Sequence, residues 1–105
     1  MRPTWVYILR CADDSYYVGS YRGDLIETRL YEHNNGHYPK AYTYKRRPVT
    51  LLWADQCEWA VDAIALERRL KGWSRAKKEA FIREDWDELQ RLSKRGSVQK
   101  KQDSS

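Results

Sequence analysis

No apolar run in the 105-residue sequence approaches the roughly 18 residues that a membrane-spanning helix needs, so no segment of it reads as a transmembrane anchor. Met1 to Thr4 lead straight into a strand-like segment with no signal-like stretch, and the cytoplasm is the expected compartment. Cysteine is nearly absent: Cys11 and Cys57 are too few for a disulfide framework, and no Cys/His spacing reads as zinc. Redox chemistry and a disulfide-linked partner are therefore not expected. The chain is also too short for two cores, because each half would sit near the lower limit of independent folding. One domain over 1–93 is expected, followed over 94–105 by a basic tail that loses every aromatic and nearly all apolar residues.

What is present is aromatic and basic. The apolar fraction of 41%, with five Trp and eight Tyr, can fill a core, while a mean hydropathy of −0.93 and 33% charged residues put a heavily charged surface around it. The formal charge of +5 is unevenly placed. From His37 to Pro48, "HYPKAYTYKRRP" holds four basic residues, three tyrosines and no acid. A second cluster, Glu67 to Glu79, carries six basic residues against two acids. Such interleaving suits a polyanion with stackable bases, since Lys and Arg release phosphate counterions while aromatic faces accept bases. A solvated surface with snorkelling stems fits the charge equally well.

The pattern along the chain predicts an α+β domain in the order β-β-α-β-α-α with an extra C-terminal helix. Trp5 to Cys11 and Ser15 to Ser20 are strand-like around the turn signal "ADDS", which makes a hairpin. Asp24 to about Asn34 reads as a helix stopped by "NNG", with Ile26 and Leu30 on one face. "VTLLWA" after Pro48 is a third strand, and Ala60 to Lys71 a second helix whose stripe carries Ala63, Leu66, Glu67 and Leu70. Ser74 is placed to cap a third helix to about Arg83, and Asp85 with Glu88 makes a capping-box-like start for the last.

Hairpin geometry decides whether Tyr7 and Tyr17 can cooperate. A two-residue turn puts them on opposite faces. A three-residue turn that sets Cys11 opposite Tyr17, or one bulge, puts Tyr7, Leu9, Cys11 and Tyr17 on one side. A joint tyrosine site thus requires an odd loop or a bulge. Gly19, closing the second strand, marks a place where another group comes close.

"WVY" at Trp5 to Tyr7, "YVG" at Tyr17 to Gly19, "RLYEHNNG" from Arg29 and "ALERRLKGW" from Ala65 together resemble the GIY-YIG nuclease domain, in particular the small stand-alone bacterial proteins of that superfamily. The resemblance spans Trp5 to Arg83 and departs from the pattern at Trp5-Val6, where the family has Gly-Ile. It implies a three-stranded antiparallel sheet flanked by helices, and phosphodiester hydrolysis with one divalent metal, Mg²⁺ or Mn²⁺. Position by position it implies Tyr7 and Tyr17 as the motif tyrosines, Gly19 as a structural motif residue, Arg29 as the helix arginine, His33 one turn later and Glu67 as the single metal-binding carboxylate.

Elementary chemistry is compatible with those roles. Arg29 and His33, at i and i+4, share a helix face where a guanidinium can offset charge on phosphoryl oxygens. A phenol is a poor base at its normal pKa of about 10, and a nearby Arg29 and a metal favour the phenolate. Tyr7 is the preferred base, with Tyr17 as its hydrogen-bonding partner. Lys40, Lys45, Arg46 and Arg47 are the candidate nucleic-acid contacts. The expected activity is that of a metal-dependent endonuclease on DNA, in structured or single-stranded form. Competing readings are a nucleic-acid-binding module without turnover, a protein-interaction face built on Trp59, Trp73 and Trp86, and, for Arg29 with Glu67, a purely structural ion pair.

Overall fold

The computed structural model describes residues 3–94, which fall into two compact units dividing between Lys71 and Gly72. The expected tail lies, from residue 95 onward, outside the described residues. The first unit is built on an antiparallel sheet of β1 (Thr4–Arg10), β2 (Tyr16–Arg22) and β3 (Thr50–Cys57), in the order β2-β1-β3. The most apolar segment of the sequence thereby becomes the central strand. Val6, Tyr7, Ile8 and Leu9 are all at most 1% exposed. Two helices complete the unit, α1 (Ile26–Asn34) and α2 (Ala60–Gly72), with a 3₁₀ turn at Tyr44–Arg46 before β3.

The hairpin has the odd turn that a joint tyrosine face requires. Cys11 N–H donates to the Ser15 carbonyl at 2.8 Å and Asp14 N–H to the Cys11 carbonyl at 2.9 Å, leaving a three-residue loop. Asp14 takes the left-handed conformation, φ 68°, which a short polar side chain tolerates, and the Asp13 carboxylate accepts from the Ser15 amide and hydroxyl. The register is not the expected one: Cys11 meets Ser15, and Tyr17 lies opposite Leu9. Parity is preserved, so Tyr7, Leu9, Tyr17 and Gly19 share a face.

On that face Tyr7 is flanked by the two smallest available neighbours, Gly19 on β2 and Ala54 on β3. Its ring lies across Gly19: a Cβ there would stand 2.6 Å from the Tyr7 hydroxyl and 2.9 Å from the Tyr17 ring. Gly19→Ala is expected to destabilise the fold by roughly 1–3 kcal/mol in a urea titration. Gly72→Ala, whose Cβ would meet nothing within 4 Å, will leave stability unchanged or raise it. Equal effects would show that the Tyr7–Gly19 contact is not tight.

The pairing of β1 with β3 slips between Ile8 and Leu9, where Leu52 is the extra residue of a bulge. β3 runs on to Cys57 rather than stopping at Ala54, because Thr4 to Val6 of β1 still offer partners. α1 begins at Ile26 rather than Asp24: β2 continues to Arg22, and Trp5 Nε1 donates to the Gly23 carbonyl at 3.1 Å. Residues 26, 29, 30 and 33 then form the inward stripe of α1, two apolar and two polar. Ile26 and Leu30 pack on Tyr7 and Leu9. At the far end, the Asn34 amide exchanges two hydrogen bonds with the Val49 backbone, at 2.7 and 3.1 Å, fixing the helix end to the entry of β3. Gly36, φ 71°, supplies the expected stop.

In the second unit, α3 (Arg75–Ile82) and a helix over 86–94, α4, follow their expected caps. Ser74 Oγ accepts from Lys77 N–H at 3.2 Å and Asp85 Oδ1 from Glu88 N–H at 3.2 Å. Phe81 meets Trp73 and Trp86 edge-on, with centroids 5.7 and 5.9 Å apart. Trp73 is therefore a packing residue rather than part of an exposed aromatic face.

Candidate active site

The polar half of the α1 stripe meets the tyrosine face of the sheet. The Tyr7 hydroxyl stands 2.9 Å from His33 Nε2 and receives Arg29 Nε–H at 3.3 Å. His33 Nδ1 is 2.8 Å from the Thr43 hydroxyl. Arg29 is a donor only, so the phenol proton points to His33 Nε2, and the neutral imidazole then donates from Nδ1 to Thr43. His33 and Thr43 are 3% and 1% exposed, and among the described residues no buried side-chain polar atom lacks a partner. Arg29 Nη1 also donates to the Tyr38 hydroxyl at 2.5 Å, Tyr38 donates to Glu32, and the Arg29 guanidinium lies 4.4 Å over the Tyr38 ring. The guanidinium is thus held in place before any ligand arrives.

Tyr17 comes to this cluster through its ring. Its centroid lies 6.3 Å from Tyr7 and 5.6 Å from His33, and the partners of the Tyr7 hydroxyl are His33 and Arg29 rather than Tyr17. On α2, Glu67 pairs with Lys71 at 2.8 Å, one turn along. Arg29 has Glu32 at 3.9 Å, so the structural Arg29–Glu67 pair considered from the sequence is replaced by two separate pairs. Glu67 helps raise Tyr7, and Tyr17 helps raise Lys71, so this carboxylate and ammonium lie within electrostatic reach of the tyrosines.

Burial governs the electrostatics. It pushes the Tyr7 phenol up to about 12, outweighing the hydrogen bond and charge of Arg29, with Tyr17 and Glu67 adding to the rise. Burial, and then the Arg29 charge, pull His33 down to about 4, against Glu32. Burial opposes the charge on Arg29, but the Tyr7 and Tyr38 hydroxyls hold its pKa above the ordinary value. His33 is therefore neutral at pH 7. Its folded pKa lies below the unfolded value of 6.5, so its contribution is complete above pH 6.5 and is lost as pH falls toward 4. The loss is roughly 3 kcal/mol at full effect, from about 1.4 kcal/mol per pKa unit. Urea titrations between pH 7 and 4 should show it, and His33→Gln should flatten it; an unchanged slope would place the acid sensitivity elsewhere.

Among the described residues no group of three or more His, Cys, Asp or Glu converges, so a cation here would rest on Glu67 alone. That donor set suits Mg²⁺ or Mn²⁺, hard ions that keep several waters and bind through one or two carboxylates plus phosphate. Glu67 already holds a cationic group in Lys71 Nζ, on a side chain 52% exposed.

The catalytic-domain pattern of the GIY-YIG family matches residues 3–80. The chain belongs to that family. GIY-YIG domains are usually nucleases and imply interaction with nucleic acid. This GIY-YIG chain is 38% identical over 85 residues to a UPF0213 protein of Syntrophus aciditrophicus, covering 81% of this chain and 95% of the relative. It is 43% identical over 77 residues to a UPF0213 protein of Halobacterium salinarum, covering 73% and 96%. A solution NMR structure of a protein from E. faecalis superimposes with a TM-score of 0.55 at 32% identity, covering 79% of this chain and 85% of that one. The match covers both curated relatives almost end to end. No helix among the described residues is long and apolar enough to cross a membrane.

The basic loop behaves unevenly. Lys40 is exposed. Arg47 folds back on Tyr44, donating to its carbonyl at 2.8 Å. Arg46 is tied to Asp13 at 3.0 Å. The sequence reading missed Tyr38, Thr43 and Lys71, which hold Arg29, His33 and Glu67 respectively. Only Lys71 carried a legible signal, the i+4 spacing from Glu67.

Proposed function

We propose that this GIY-YIG domain is an endonuclease that hydrolyses phosphodiester bonds in DNA with the help of one Mg²⁺ or Mn²⁺. The observation that carries the reading is the Tyr7 hydroxyl held between Arg29 and His33 on the face shared with Tyr17. Arg29, fixed by Tyr7 and Tyr38, stabilises the charge that builds on the phosphoryl oxygens. Tyr7 takes the proton of the attacking water as a phenolate, the form that the Arg29 hydrogen bond and charge favour against burial. Glu67 holds the metal, which when bound supplies Lewis-acid stabilisation of the phosphate. The test is incubation with plasmid, single-stranded and branched DNA in Mg²⁺, Mn²⁺ or EDTA. Product that appears with metal and vanishes with EDTA supports the reading; product indifferent to EDTA overturns the metal's role.

The second reading, a nucleic-acid-binding module without turnover, is favoured by one observation: Tyr7 is 1% exposed and its phenol lies at about 12. Salt-sensitive binding with no metal-dependent product on any of the three DNAs would select it.

A further inference from the structure

The candidate catalytic hydroxyls use only part of the aromatic surface gathered here. Tyr42 stacks on Tyr17, centroids 6.1 Å apart and planes within 13°, yet stays 43% exposed. The Arg46 guanidinium lies 3.8 Å over the Tyr42 ring. It is pinned there by two hydrogen bonds, Nε to Asp13 Oδ2 at 3.0 Å and Nη1 to the Tyr42 carbonyl at 2.8 Å. A planar guanidinium fixed on a tyrosine ring offers a stacking surface. Beside it, between the hairpin turn and the basic loop, opens a recess of about 420 Å³ lined by Ala12, Asp13, Lys45 and Arg46. That volume is in the range of about 300–1,000 Å³ common to small-molecule sites.

The lining distinguishes a base from a phosphate. The Asp13 carboxylate, which accepts from Ser15 and is balanced by its 3.0 Å pair with Arg46, is the acceptor in that lining. The amino edge of a base can donate to that carboxylate, and a phosphate oxygen, which only accepts, cannot. Lys45 at the rim offers the compensating contact to the backbone. Bases inside a duplex are already stacked on each other and cannot enter; an unpaired base can.

We propose that the recess is a stacking subsite for an unpaired nucleotide, its base laid on the Arg46–Tyr42 platform, next to the phosphate that meets Tyr7 and Arg29. This deepens the nucleic-acid reading above and rests on it, but not on turnover. The structure of the recess favours a single strand over a duplex whatever the sugar, so DNA and RNA strands form separate arms of the test.

Binding in EDTA, read by fluorescence anisotropy, compares a labelled single-stranded DNA, the matching RNA, the blunt duplex and an abasic DNA strand of equal length. The expected result is a preference of about tenfold for at least one based single strand over the abasic strand and the duplex. Tyr42→Leu and Arg46→Lys should each remove most of that preference while leaving abasic-strand affinity alone, and Tyr42→Phe should keep it. The stronger of the DNA and RNA arms names the sugar. Salt-sensitive binding of all strands with no preference for bases, or a preference that survives Tyr42→Leu, overturns the subsite and spares the nucleic-acid reading. Binding to none of the strands overturns both.

Discussion

Glu67→Gln, purified in parallel with the wild type, is expected to lose metal-dependent cleavage by roughly a thousandfold or more, because several kcal/mol of charge stabilisation depend on the ion. The substitution keeps the shape of the side chain and a hydrogen-bonding oxygen toward Lys71 but removes the charge. Stability should hardly change. Glu67 is paired with an exposed lysine one turn away, and such pairs are worth about 0.3–0.5 kcal/mol. DNA affinity measured in EDTA should be equal or slightly higher, since a negative charge leaves the site proposed to receive phosphate. Cleavage at the wild-type rate would remove Glu67 from the mechanism, and unfolding would show the carboxylate to be structural.

Tyr7→Phe should act on both stability and chemistry. Phenylalanine fills the same space over Gly19 but leaves the buried His33 Nε2 without its donor and Arg29 Nε without its acceptor. A stability loss of about 1–3 kcal/mol is expected from the unsatisfied groups. The cleavage rate should fall by about two to four orders of magnitude, the usual worth of a positioned acid–base group. Tyr17→Phe should cost less in both, because the Tyr17 ring reaches the cluster by stacking and edge contacts that phenylalanine retains. Single-turnover rates at saturating DNA separate the two variants. A larger loss for Tyr17→Phe would move the base to Tyr17.

The sequence exposed those features whose physics is local. The caps at Ser74 and Asp85, the Gly36 stop and the i, i+4 placement of Arg29 and His33 all follow from short-range geometry, whereas the sequence left the turn parity open. The register of the hairpin did not, because it turned on which residue took the left-handed position, and an Asp-Asp-Ser turn allows more than one choice. Nor did the environment of Tyr7. An arginine beside a tyrosine suggests a lowered phenol pKa, yet the structure puts it near 12, since the desolvation that wins depends on how completely β1 is enclosed. Thr43 and Tyr38 were invisible for a related reason. They reach His33 and Arg29 from a loop with no periodicity, in a stretch whose basic charge drew attention instead.

If the proposed chemistry holds, the buried chain from Tyr7 through His33 to Thr43 gives one set of residues two selective reasons to persist. A descendant that had given up chemistry would still need the three groups to satisfy one another inside its core, so the tyrosine and histidine signatures outlast the activity that made them useful. Glu67 belongs to no such buried chain; its side chain, 18% exposed, pairs with Lys71 at 2.8 Å. On the reading proposed above, retention of that one carboxylate is a better marker of a working nuclease than the motif by which these domains are grouped.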